Sequence, residues 1–95
     1  MDREDWGGLT VRTRDGAVLG GMVGVFIEGL LAGRLLVQGD YALAGDRTGP
    51  QPGRAVYAIP LQAVKRQLHD SLVLRTTLSA ARARWLMYVT LKKAT

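Results

Sequence analysis

The sequence predicts a mainly β protein: a small, partly open antiparallel β-barrel of about six strands with a C-terminal helix. Three observations carry that expectation. Asp15-Gly16 stands between two segments of strand character, and Pro60 ends an apolar strand and is followed by a short helical spacing and a second apolar run. A long apolar segment between them carries Gly20, Gly21 and Gly24, which suits a ribbon that must bend.

From Leu9 to Arg14 apolar and polar side chains alternate with the period of a half-buried strand. Asp15-Gly16 then gives a hairpin signal, because a tight primed turn needs positive φ and glycine accepts it without steric cost. The return strand is expected over Val18–Glu28, with Gly20, Gly21 and Gly24 as bend sites. Gly29–Gly33 supplies the next turn, and Arg34–Gln38 a third strand with Leu35, Leu36 and Val37 largely buried. Residues 39–53, rich in Gly, Pro and Asp and containing Pro50 and Pro52, read as a long loop.

The stretch Arg54–Leu74 organises the rest. Val56 and Ala58 alternate with Tyr57 and Ile59 until Pro60, which has no N–H to donate to a ladder. Leu61, Val64, Lys65 and Leu68 fall at helical spacing, and Leu72-Val73-Leu74 has the compact apolar form of a buried strand. Thr76 or Thr77 is placed to cap a helix on which Leu78, Ala81, Trp85, Tyr88 and Val89 share one face. Leu86–Leu91 has strand formers as well, so that segment reads as helix or strand.

At 95 residues the chain suits one domain with one modest core: an arm over 1–8, the barrel over 9–75 and a packing tail over 76–95. It has no cysteine, which excludes disulfides and thiolate metal sites and suits a reducing cytoplasm. The acidic start, Asp2 to Asp5, lacks the basic leader of a secretory signal, so a cytoplasmic location is expected. The longest apolar run, Ala17–Ile27, is too short for a membrane-spanning helix, which needs about 20 residues, and no such helix is expected. Charge is uneven. Residues 1–53 carry five basic and seven acidic side chains, whereas residues 54–95 carry eight basic ones against Asp70 alone.

Chemistry is sparse. His69, Asp70 and Ser71 are the residue types of a hydrolase triad, but in an extended chain Asp70 points away from the other two. A polar turn explains them better. The glycines of 16–24 meet neither the dinucleotide fingerprint, which would need glycine in place of Leu19, nor the phosphate-loop ending. One histidine and no cysteine make a zinc site improbable. No catalytic residue, cofactor or metal is assigned, and an enzyme is not expected.

The turn Asp15-Gly16 with Leu19-Gly20 and Val23, then Gly33-Arg34 with Leu35–Val37, then Tyr57-Ala58-Ile59-Pro60 with Val64, and last Leu72-Val73-Leu74, resemble the PRC-barrel superfamily over about Leu9–Leu74. That superfamily includes the cytoplasmic domain of the photosynthetic reaction-centre H subunit, the C-terminal domain of a ribosome-maturation factor, and stand-alone bacterial proteins of unknown function. The tail TTLSAARARW (76–85) resembles that of some stand-alone members. Gly24 and the long 39–53 loop depart from the common pattern. The resemblance implies a non-enzymatic module that docks on protein or ribonucleoprotein partners.

Two functions follow as expectations. The first is a protein-interaction or assembly module, self-associating as a homodimer through the C-terminal segment, where Leu86, Met87 and Leu91 leave apolar surface uncovered. The alternative is RNA or ribosome binding through Lys65, Arg66, Arg75, Arg82 and Arg84, with Trp85 and Tyr88 as stacking platforms.

Overall fold

A computed structural model describes residues 8–43 and 51–91. The chain forms β1 (Thr10–Arg12), β2 (Val18–Val25), β3 (Leu35–Leu43), β4 (Gln51–Ile59), β5 (Val64–Gln67), β6 (Ser71–Leu74), α1 (Leu78–Trp85) and β7 (Leu86–Leu91), with single 3-10 turns at Gly29–Leu31 and Leu61–Ala63. All seven strands join one sheet in the order β5-β6-β1-β2-β3-β4-β7.

The mainly β class and the C-terminal helix are as the sequence indicates, but the partly open, all-antiparallel barrel is not. The sheet is open and mixed, with seven strands rather than six. The odd pair is β1 with β6, which run parallel and align Thr10 with Ser71 and Arg12 with Val73. Closure would require β5 to pair with β7, and those two strands stand at opposite ends of the order.

The extra strand is β5. Helical spacing from Leu61 to Leu68 yields only one 3-10 turn, after which Val64–Gln67 pairs antiparallel with β6, Val64 opposite Leu74 and Gln67 opposite Leu72. The Leu68 N–H donates to the Ser71 carbonyl at 2.7 Å and closes this hairpin. Tertiary pairing overrides the local period there. The 39–53 loop is likewise shorter than its composition suggests, because β3 continues to Leu43 and β4 starts at Gln51, in register from Leu35↔Ile59 to Leu43↔Gln51. Pro52 sits one residue beyond the end of the β7 ladder at Gly53, where β4 has a strand on one side only and a missing N–H is tolerated. Trp6 and the rest of the N-terminal arm before Gly8 lie outside the described residues, as do Pro50 and residues 92–95.

The first hairpin forms at Asp15-Gly16 as expected, with a different turn. Gly16 has φ +85°, its N–H donates to the Thr13 carbonyl at 3.0 Å, and the Thr13 N–H donates to Ala17 at 2.9 Å. No non-glycine residue among those described has positive φ, so this is a three-residue loop with one left-handed glycine rather than a primed two-residue turn.

Glycine bends the sheet at one crossing. Gly20 of β2 and Gly39 of β3 lie backbone against backbone: a Cβ on Gly39 would come 2.0 Å from the Leu19 carbonyl oxygen, and one on Gly20 would come 2.2 Å from that of Gln38. Beyond this point β2 follows β1 and β3 follows β4. Gly21 and Gly24, also expected to be bends, have room for a methyl group.

The core gathers Val11, Leu19, Met22, Leu35, Val37, Ala55, Tyr57, Ile59, Leu72 and Leu74. β4 is its axis, since every residue from Ala55 to Ile59 is buried. Ala81 of α1 is fully buried in the same cluster, and Leu78 and Trp85 pack against it. Tyr88 and Val89, assigned with them to one helical face, instead belong to β7. Tyr88 is exposed and Val89 packs on the core.

Candidate docking edge

α1 is seated by polar contacts at both ends. The Thr77 hydroxyl accepts from the Ala80 N–H at 3.3 Å, which makes Thr77 the N-cap. The Asp15 carboxylate accepts from the Thr13 hydroxyl and, at 3.2 Å, from the Leu78 N–H, and the Arg14 N–H donates to the Thr76 carbonyl at 2.7 Å. The first hairpin turn therefore holds the helix start. The Thr13 hydroxyl bond is the main reason that the Asp15 carboxyl titrates below its ordinary value, with smaller help from backbone N–H groups and Arg14 against a desolvation effect that raises it. Farther along, Arg82 Nε donates to the buried Tyr57 hydroxyl at 3.4 Å, and its guanidinium lies 4.6 Å from the centroid of the Tyr41 ring.

The chain leaves the helix at Leu86, whose φ/ψ of −67°/121° is extended, and LMYVTL continues as a strand. The segment left open between helix and strand is thus β7. It pairs antiparallel with β4, Leu86 opposite Tyr57, Tyr88 opposite Val56 and Leu91 opposite Gly53, with a register shift that leaves Met87 as the bulged residue. Leu86 and Val89 pack on the core, whereas Met87, Tyr88 and Leu91 are exposed. The Thr90 hydroxyl reaches the Arg54 carbonyl at 3.5 Å.

The two ends of the sheet differ in chemistry. β5 is four residues long, has a register shift between Val64 and Arg66, and exposes Lys65 and Arg66. Short length, irregularity and exposed cations are the devices that keep a strand edge from pairing. β7 is six residues long and uncharged, and like β5 it carries one register shift, so length and charge are what separate the two edges.

The residues singled out in the sequence are divided between the two ends of the strand order. Lys65 and Arg66 are at one end of the strand order; Arg82, Arg84, Leu86, Met87 and Leu91 belong to α1 and β7 at the other. The Arg75 N–H donates to Ala63 beside the proline corner. Arg82 is engaged by Tyr57 and Tyr41, and Trp85 packs on the core. His69 and Asp70 are exposed on the β5–β6 turn while Ser71 is buried, so the polar-turn reading describes where they lie. Among the described residues no group of His, Cys, Asp and Glu could hold a metal, and no helix is long and apolar enough to cross a membrane.

Sequence reasoning missed Asp15 as the anchor of α1, because its partner is 63 residues away. It also missed a hollow of about 440 Å³ where β2 parts from β3, with Thr10, Val18, Gly20, Gly39 and Arg54 on its walls. No protein-family model matches the chain, and no curated protein or solved structure matches it either.

Proposed function

We propose that this chain is a non-enzymatic interaction and assembly module that takes a strand on the free edge of β7, with a second copy of itself as the partner. The supporting observation is the contrast between the edges: β5 carries the usual guards against pairing, and β7 presents a longer uncharged edge with Met87, Tyr88 and Leu91 exposed. In strand addition, backbone N–H and C=O groups give affinity and alternate side chains give selectivity. Two β7 strands running antiparallel about a two-fold axis satisfy each other by the same contacts, the requirement of an isologous dimer. The PRC-barrel resemblance and a cytoplasmic, cysteine-free setting belong to this reading.

RNA binding by the basic half has less support, since Trp85 and Arg82 are committed to the fold. Light scattering at high micromolar concentration tests the proposal: a species near twice 10.3 kDa is expected, and Tyr88→Lys with Leu91→Lys should return it to monomer without lowering the monomer's stability. A wild-type monomer under those conditions would refute self-assembly.

A further inference from the structure

The loop from Phe26 to Arg34, between β2 and β3, shows apolar side chains where a hairpin connection is ordinarily polar. Ile27 is 85% exposed and Leu30 103% exposed, the two highest values among the exposed large hydrophobics described. The loop is well organised. The Phe26 N–H donates to the Arg34 carbonyl at 3.0 Å, the Gly33 N–H returns to Phe26 at 2.8 Å, and the 3-10 turn is closed by Ala32 to Gly29 and Arg34 to Leu31. The display of Ile27 and Leu30 is therefore built into the backbone.

At the base of the loop, Arg34 lines a hollow of about 340 Å³ with Gly33, Pro60, Leu61 and Gln62. Aliphatic side chains at the tip and a cation at the base are ordered as the layers of a phospholipid leaflet are, hydrocarbon beyond phosphate. A protein hot spot needs a surrounding rim that excludes water from the anchor. A side chain as fully exposed as Leu30 needs an occupant that supplies all of the surrounding surface, as a bilayer does when it closes round a convex tip. The net charge of +5, which comes from residues 54–95 rather than from the half that holds this loop, adds only a long-range attraction to an anionic surface. Glu28 is the opposing group, an exposed carboxylate beside the tip.

We infer that the Phe26–Arg34 loop docks the protein peripherally on anionic bilayers, with Ile27 and Leu30 entering the acyl boundary and Arg34 meeting lipid phosphate. This is independent of pairing at β7.

The test is cosedimentation of the full chain with vesicles of equimolar phosphatidylcholine and phosphatidylglycerol, compared with phosphatidylcholine alone. Binding to the anionic vesicles is expected. Ile27→Ser and Leu30→Ser should each weaken it about tenfold, Arg34→Gln about fivefold, and Glu28→Gln should strengthen it. Both serine variants should keep the wild-type melting temperature, because the side chains they remove touch little of the fold. Absence of binding by the wild type, or binding unchanged by the double serine variant, would overturn the inference. So would wild-type oligomers that Leu30→Ser dissolves, since a second copy would then cover the loop. Equal binding to phosphatidylcholine alone would overturn the role given to Arg34.

Discussion

Replacing Gly39 with alanine is the most discriminating perturbation of this fold. The added Cβ would lie 2.0 Å from the Leu19 carbonyl oxygen and 2.8 Å from the Gly20 Cα, where ordinary contact begins at 3.4 Å. Both obstacles are backbone, so no side chain can rotate aside, and relief requires β2 and β3 to separate beside the Gly21–Gln38 pair. Overpacking of this kind costs about 3 kcal/mol or more. The loss of unfolded-state freedom returns about 0.4–1 kcal/mol. The net, about 2–3 kcal/mol, corresponds to a melting temperature lower by about 10–20 °C for a domain of this size. Gly20→Ala should behave alike, its Cβ meeting Gln38 at 2.2 Å. Gly21→Ala and Gly24→Ala are the controls, with the nearest atoms 4.0 Å away in each case. They should be neutral or more stable by up to about 1 kcal/mol. Urea denaturation followed by tryptophan fluorescence measures all four. If Gly39→Ala stays within about 0.5 kcal/mol of wild type, or if Gly21→Ala falls as far, the backbone crossing is not where the sheet turns.

Adjacent threonines should respond with opposite signs. Thr77→Ala removes the N-cap and should cost about 0.5–2 kcal/mol, whereas Thr76→Val replaces a buried hydroxyl that has no partner among the described residues and should be neutral or stabilising by urea denaturation. Arg82→Ala leaves the buried Tyr57 hydroxyl without its donor and should cost about 1–3 kcal/mol, with Arg82→Lys recovering part of it; a change below about 0.5 kcal/mol would show that the contact is idle. Because the folded Asp15 carboxyl titrates below its unfolded value, its contribution is complete above that ordinary value, 3.8, and is lost as pH falls through the lower folded one. Asp15→Asn should therefore destabilise the protein at neutral pH and flatten the acid limb of its stability profile, and an unaltered limb would contradict the helix-anchor role.

Features written in local sequence were legible. The Asp15-Gly16 turn, the strand that ends at Pro60 and the strand at Leu72–Leu74 all form where a short window of residues places them, whereas the burial of both faces of Ala55–Ile59 goes beyond the alternation expected there. What depended on distant partners was not. Val64–Gln67 has a helical spacing locally and becomes a strand only because β6 lies beside it. Gly39 looks like the start of a loop, and its need to be glycine comes from Leu19, twenty positions earlier. The uncovered apolar character of Leu86–Leu91 was visible, but its rank as the terminal strand is a property of the whole order.

That order connects the open sheet to the docking proposal. If β5 and β7 paired, the sheet would close and no edge would remain for a partner. Short length with Lys65 and Arg66 exposed makes β5 a poor acceptor, while Leu78, Ala81 and Trp85 of α1 cover core that a closing pair would otherwise shield. Helix and cations thus act together: α1 makes an open sheet tolerable by burying apolar surface, and the guarded β5 leaves β7 paired on one side only, to β4, among the described residues. The strand that follows the helix directly then carries both a core-facing pair, Leu86 and Val89, and an outward set, Met87, Tyr88 and Leu91, as a shared boundary between two copies requires.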